Sequence, residues 1–122
     1  MEKEFIPYRL ALRIKKLGFN EPCLAYYDEF NNNKVCYGYS NNTNKAPTFS
    51  QVFRFIRDKY SLIHVVEYYD GRYKWYIVRW KLGREECICT YEDKFLMAFE
   101  NYEELEIHCL KKMLNFIVYG KK

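Results

Sequence analysis

The segment from Leu62 to Lys81 constrains this chain more than any other: it reads LIHVVEYY, then Asp70-Gly71, then RYKWYIVRWK. Two β-rich runs separated by Asp-Gly predict a hairpin with a two-residue turn, because both turn positions need φ > 0. Counting outward from the turn sets Tyr69 opposite Arg72, Tyr68 opposite Tyr73, Glu67 opposite Lys74, Val66 opposite Trp75 and Val65 opposite Tyr76. Side chains alternate along a strand. One face therefore carries Ile63, Val65, Tyr76, Val78 and Trp80, and the other Leu62, Val66, Tyr68, Tyr73, Trp75 and Ile77. A hairpin apolar on both sides belongs in the middle of a sheet, with helices on one face and protein or a partner over part of the other.

The flanking sequence supplies helices. Pro7 suits the start of the first, since its missing N–H is an orphan there anyway. Leu10, Ala11, Ile14 and Leu17 form an apolar stripe, Arg9, Arg13 and Lys16 share the far face, and Gly18 is a stop with Phe19 folding back on the last turn. Cys23–Asp28 and Lys34–Tyr39 read as two short strands joined around Asn31-Asn32-Asn33, followed by an asparagine-rich loop. Thr48 and Gln51 have capping-box spacing and open a second helix to Tyr60, with Phe49, Val52, Phe53, Ile56 and Tyr60 inward and Ser50, Arg54 and Arg57 roughly opposite. Phe55 falls outside both stripes, so it is wrapped by a loop or exposed. Glu86–Tyr91 is a further strand and Phe95–Phe99 a possible short one. Asn101 and Glu104 have N-cap and N3 spacing for a last helix to Val118, whose core stripe includes Leu105, Cys109, Leu110, Met113, Leu114 and Ile117. The order is αββ-αβββ(β)-α. The expected fold is α+β: an antiparallel sheet of about five strands with helices mostly on one face, in a single domain spanning 1–122.

Composition supports one core and narrows the setting. The chain of 122 residues is 49% hydrophobic and 20% aromatic, with 13 Tyr whose hydroxyls each need a partner if buried. No run approaches the length of a membrane span, and MEKEFIPYRL has no apolar signal-peptide core. Five cysteines leave at least one unpaired and match no disulfide framework, which fits reduced thiols in a cytoplasm. The net charge of +4 is unevenly spread: residues 1–20 and 45–60 each carry +3, residues 84–106 carry −6, and the last sixteen carry +4. Such a distribution steers an anionic partner toward one side, or is the solvated face of ordinary helices.

Chemical motifs are sparse. Cys87-x-Cys89 sets two thiols on one face of a strand, yet the paired spacing of a structural zinc site is missing, so no metal or cofactor is expected. Of the two histidines, His64 sits on an aromatic strand face opposite Ile77, and His108 lies one turn after Glu104, where an ion pair is the simple explanation. No nucleophile, metalloprotease or phosphate-loop motif occurs. A small enzyme using His64 stands as one alternative. Nucleic-acid binding is another: Arg9, Arg13 and Lys16 on one helix and Arg54 and Arg57 on the next would meet phosphates, while Tyr73, Trp75 or Trp80 would stack on bases. From Thr48 onward the element order resembles a double-stranded RNA-binding domain. That family grips phosphates with a lysine-rich start to its last helix, where this chain has Asn101-Tyr102-Glu103-Glu104, so the likeness is one of topology.

Three segments carry a broader resemblance: PYRLALRIKKLGFNEPCLAYYD (Pro7 to Asp28), APTFSQVFRFIRDKY (Ala46 to Tyr60) and NYEELEIHCLKKML (Asn101 to Leu114). Together they resemble a group of small uncharacterised accessory proteins of phages and prophages in gut bacteria. The resemblance implies a phage-derived protein in the cytoplasm of a bacterial host and brings no catalytic or binding residues with it. The leading expectation is a protein that works by binding, to a host or phage protein or to a nucleotide-type anion. Arg9, Arg13, Lys16, Arg54, Arg57, Phe55, Tyr73 and Trp75 are the candidate contacts.

Overall fold

The computed structural model describes residues 4–38, 45–69, 72–81, 83–93 and 102–119. Its elements run α1 (Tyr8–Lys16), β1 (Ala25–Asp28), β2 (Lys34–Tyr37), α2 (Phe49–Tyr60), β3 (Leu62–Tyr69), β4 (Arg72–Lys81), β5 (Arg84–Asp93) and α3 (Tyr102–Tyr119). The protein is α+β, and its five strands divide into two antiparallel sheets, β1-β2 and β3-β4-β5. Each sheet belongs to one of two compact units, residues 1–52 and 53–122, which divide inside α2.

In the first unit α1 ends as its sequence requires. Gly18 adopts φ 99°, and the amides of Gly18 and Phe19 return to the carbonyls of Lys15 (3.0 Å) and Ile14 (3.3 Å). These are the two bonds of a Schellman closure, and they bring Phe19 back onto the apolar stripe of Leu10, Ala11 and Ile14, all buried. β1 and β2 pair from Ala25↔Tyr37 to Asp28↔Lys34, with a 3-10 turn over Glu29–Asn31 between them. The segment 45–48 runs beside two others: Tyr26 bridges Lys45, Phe5 bridges Thr48, and the Ile6 amide donates to the Pro47 carbonyl at 3.1 Å. The capping box at the start of α2 is formed in both directions. The Thr48 amide donates to Gln51 Oε1 (3.1 Å), and the Gln51 amide donates to Thr48 Oγ1 (3.2 Å).

In the second unit the β3–β4 register matches the counted one residue for residue, from Tyr69↔Arg72 to Leu62↔Arg79. Only half of the hairpin is interior, however. β4 lies between β3 and β5, and β3 is an outer strand among the described residues. The turn Asp70-Gly71 and the strand expected over Phe95–Phe99 fall outside the described residues. The Phe53 ring of α2 stacks on His64 (centroids 3.7 Å apart, 19°), and His108 of α3 meets Trp75 edge-on at 5.5 Å. Arg79 sits over the Phe116 ring at 4.9 Å. By the register, His64, Trp75 and Arg79 share one face of the sheet, so this part of α2 and α3 cover the same side. Leu62, Trp75 and Ile77 are buried there, as are Leu105, Cys109, Leu110, Met113 and Leu114 of α3. Ile117, expected in that stripe, is half-buried.

Two local readings change. His108, expected on the polar side of its helix, brings its ring to Trp75. The β4–β5 register slips between Ile77 and Val78: Ile77 pairs with Cys89, but Val78 pairs with Cys87, leaving Ile88 as an extra residue. This β-bulge breaks the alternation that would have set Cys87 and Cys89 on one face.

Candidate ligand-binding cleft

A concave site of the first unit forms where α1, the loop after it and the 45–48 segment come together. Backbone pairing of Tyr26 with Lys45, and of the Ala46 amide with the Ala25 carbonyl (2.9 Å), fixes Lys45 next to the chain that follows α1. The Lys45 ammonium then donates to Asn20 Oδ1 and to the Glu21 carbonyl, both at 3.3 Å. Gln51 adds a second tie, since its Nε2 donates to the Pro22 carbonyl at 2.9 Å. Between these elements lies a cleft of about 190 Å³. Ala11, Leu12, Phe19 and Pro47 form its apolar wall, and Lys15, Asn20 and Lys45 its polar rim.

Two ammonium groups stand at the rim, with the Glu21 carboxylate as the opposing charge nearby. Lys15 and Lys45 are exposed, and the two acceptors that hold Lys45 in place are neutral oxygens. The carbonyls of Ile14 and Lys15, which would oppose an anion at the end of α1, are satisfied by the Schellman closure. Cys23 lies close by and donates to the Glu21 carbonyl at 3.5 Å. Burial pushes its thiol up, the Lys45 charge acts the other way, and the nearby Glu21 carboxylate adds to the rise.

The expected contact residues are spread over both units. Arg9 and Lys16 are exposed on α1 and Arg13 is half-buried there. Arg54 and Arg57 are exposed on α2, and Arg57 Nε lies 3.5 Å from Asp58 Oδ1. Phe55 is half-buried, with the Lys59 ammonium 5.6 Å from its ring centroid. Tyr73 pairs with Tyr68 on one side and Asp93 on the other. Trp75 has no exposed surface and offers no face on which a base could stack. Sequence reasoning passed over Lys15 and Lys45. Lys15 interrupts the spacing of the basic stripe, and Lys45 sits in a polar loop with no local signal; only the backbone pairing of 45–48 brings it to α1.

His64 is held flat against Phe53, and burial lowers its pKa to about 4, so the ring is neutral through the physiological range. Among the described residues no three His, Cys, Asp or Glu side chains gather as metal ligands would. No helix among them is long and apolar enough to cross a membrane. The chain matches no protein-family model, no curated protein and no solved structure.

Proposed function

We propose that this chain acts by binding, and that the cleft of the first unit takes a ligand joining an anionic group to a small apolar one. The observation that carries this reading is the pairing of two exposed ammonium groups, Lys15 and Lys45, with a wall made of Ala11, Leu12, Phe19 and Pro47. Ordinary small-molecule sites occupy ~300–1,000 Å³, so a cleft of about 190 Å³ suits one ring or one short side chain rather than a whole nucleotide. A nucleotide-type anion would seat part of itself and leave the rest in solvent. The residues of the cleft fall within the segments that resemble phage accessory proteins or directly beside them, which is consistent with a role in a bacterial host cell played through contact with a host or phage component.

Titration of the isotopically labelled protein with phenyl phosphate, with AMP and with inorganic phosphate alone tests this reading. Saturable amide shifts at Ala11, Leu12, Asn20 and Lys45 are expected with phenyl phosphate, and weaker ones with inorganic phosphate, which lacks the apolar group. Lys15→Ala with Lys45→Ala should weaken binding about tenfold, the effect of ~1.4 kcal/mol. Shifts confined to other surfaces would refute it. Tight binding to generic DNA or RNA that falls steeply with salt would instead favour contact through the basic faces of α1 and α2, since phosphate contacts release counterions.

A further inference from the structure

Phe30 is the most exposed large apolar side chain among the described residues, at 94%. It stands at the tip of the β1–β2 hairpin, whose backbone is tied by local hydrogen bonds. Asp28 Oδ1 accepts the Phe30 amide at 3.0 Å, the Asn33 amide returns to the Asp28 carbonyl at 2.8 Å, and Asn32 and Asn33 hold φ of 55° and 58°. Glu29, also exposed, stands beside Phe30, and Asp28 is half-buried next in line. Asp28 faces the exposed Lys34 across the hairpin, so the carboxylate left beside the ring is that of Glu29.

The cleft described above is the complement of that tip. Its apolar wall suits a phenyl ring, since a dry cavity of ~150 Å³ holds benzene and this one measures about 190 Å³. Its rim carries Lys15 and Lys45, opposite in sign to the exposed Glu29. Among the described residues, the Phe30 ring is uncovered and the cleft is unfilled by the chain itself. From this we infer that the occupant of the cleft is the Phe30 tip of a second copy of the chain. The inference rests on the proposed reading of the cleft and names its partner. One tip and one cleft per chain allow a two-fold pairing in which each copy fills the other, which closes the assembly at two.

Sedimentation equilibrium across a wide concentration range tests this. The mass should rise from 15.0 kDa toward twice that value. Phe30→Ala should weaken association about tenfold or more, as loss of an aromatic anchor does, and so should Lys15→Glu with Lys45→Glu. Adding Glu29→Lys to that double variant should restore pairing, which general damage to the fold would not allow. Phe30 is exposed, so its alanine variant keeps the native circular dichroism and serves as a monomer for titration with phenyl phosphate. A chain that stays monomeric throughout, or an assembly indifferent to these substitutions, overturns the second copy as occupant. If phenyl phosphate still shifts the cleft residues of Phe30→Ala, the cleft stands as an anion site for another ligand; if it does not, both readings fall.

Discussion

The Tyr27 hydroxyl donates a hydrogen bond to the backbone carbonyl of Ile6, across 21 residues of sequence. Both residues are buried, Tyr27 at 2% and Ile6 at 1% exposure, and the Tyr8 ring packs edge-on against Tyr27 at 5.2 Å. One tyrosine thus closes β1 against the chain that leads into α1, and burial holds its phenol well above the usual range. Tyr27→Phe keeps the ring and removes the donor, leaving a buried carbonyl unsatisfied. It should destabilise the protein by about 1–3 kcal/mol in urea unfolding. No change in the midpoint would mean that the hydroxyl bond contributes nothing.

Removing the capping box tests the start of α2. Thr48→Ala deletes the acceptor for the Gln51 amide and should cost about 1 kcal/mol. Comparing it with Gln51→Ala and with the double variant gives the coupling between the two bonds. Strictly additive losses would argue that each bond forms independently of the other.

Leu110 is fully buried in the stripe that α3 lays on the sheet. Leu110→Ala should cost about 2–5 kcal/mol, the spread reflecting how far the site collapses around the lost atoms. A thermal midpoint close to wild type would place that stripe in solvent.

Acid should weaken the second unit through His64. Its pKa falls from 6.5 to about 4 because burial disfavours the charged ring. The unfolded chain therefore takes up this proton first as pH drops. The contribution is complete above 6.5, declines below it, and is gone by about 4. The span corresponds to ~3 kcal/mol at most. His108 is lowered in the same direction, by burial first and then by Lys112 and Lys111. His64→Leu should flatten the pH dependence of stability in this window and leave a smaller slope from His108. An unchanged slope would remove His64 as its source.

What could be read from the sequence was local or periodic. The register of β3 and β4 follows from Asp70-Gly71 and strict alternation, the end of α1 from Leu17-Gly18-Phe19, and the start of α2 from Thr48 and Gln51. Each is decided within a few residues by dihedral preference and hydrogen bonding. The division into two sheets was not legible, because strand partners across α2 depend on packing and not on any pattern in one strand. The bulge at Ile88 was hidden because Cys-Ile-Cys reads as regular alternation. The cleft was hidden for a similar reason: Lys15 and Lys45 are thirty residues apart, and neither carries a mark that links it to the other. The exposure of Phe30 was equally silent, since nothing in the turn sequence says whether the ring beside it is covered.

Gln51 is a position where a substitution that looks harmless would not be. Glutamate is the more familiar residue at the third position of a capping box and would still accept the Thr48 amide. But the Gln51 amide nitrogen also donates to the Pro22 carbonyl at 2.9 Å, and a carboxylate has no proton to offer there. Gln51→Glu would keep the helix start and set two oxygens against each other at the strand of chain bordering the cleft. Judged by helix chemistry the two residues are interchangeable; judged by the loop they tether, only the amide fits. Variation at this position in related sequences should therefore follow the residue 22 segment rather than the helix it begins.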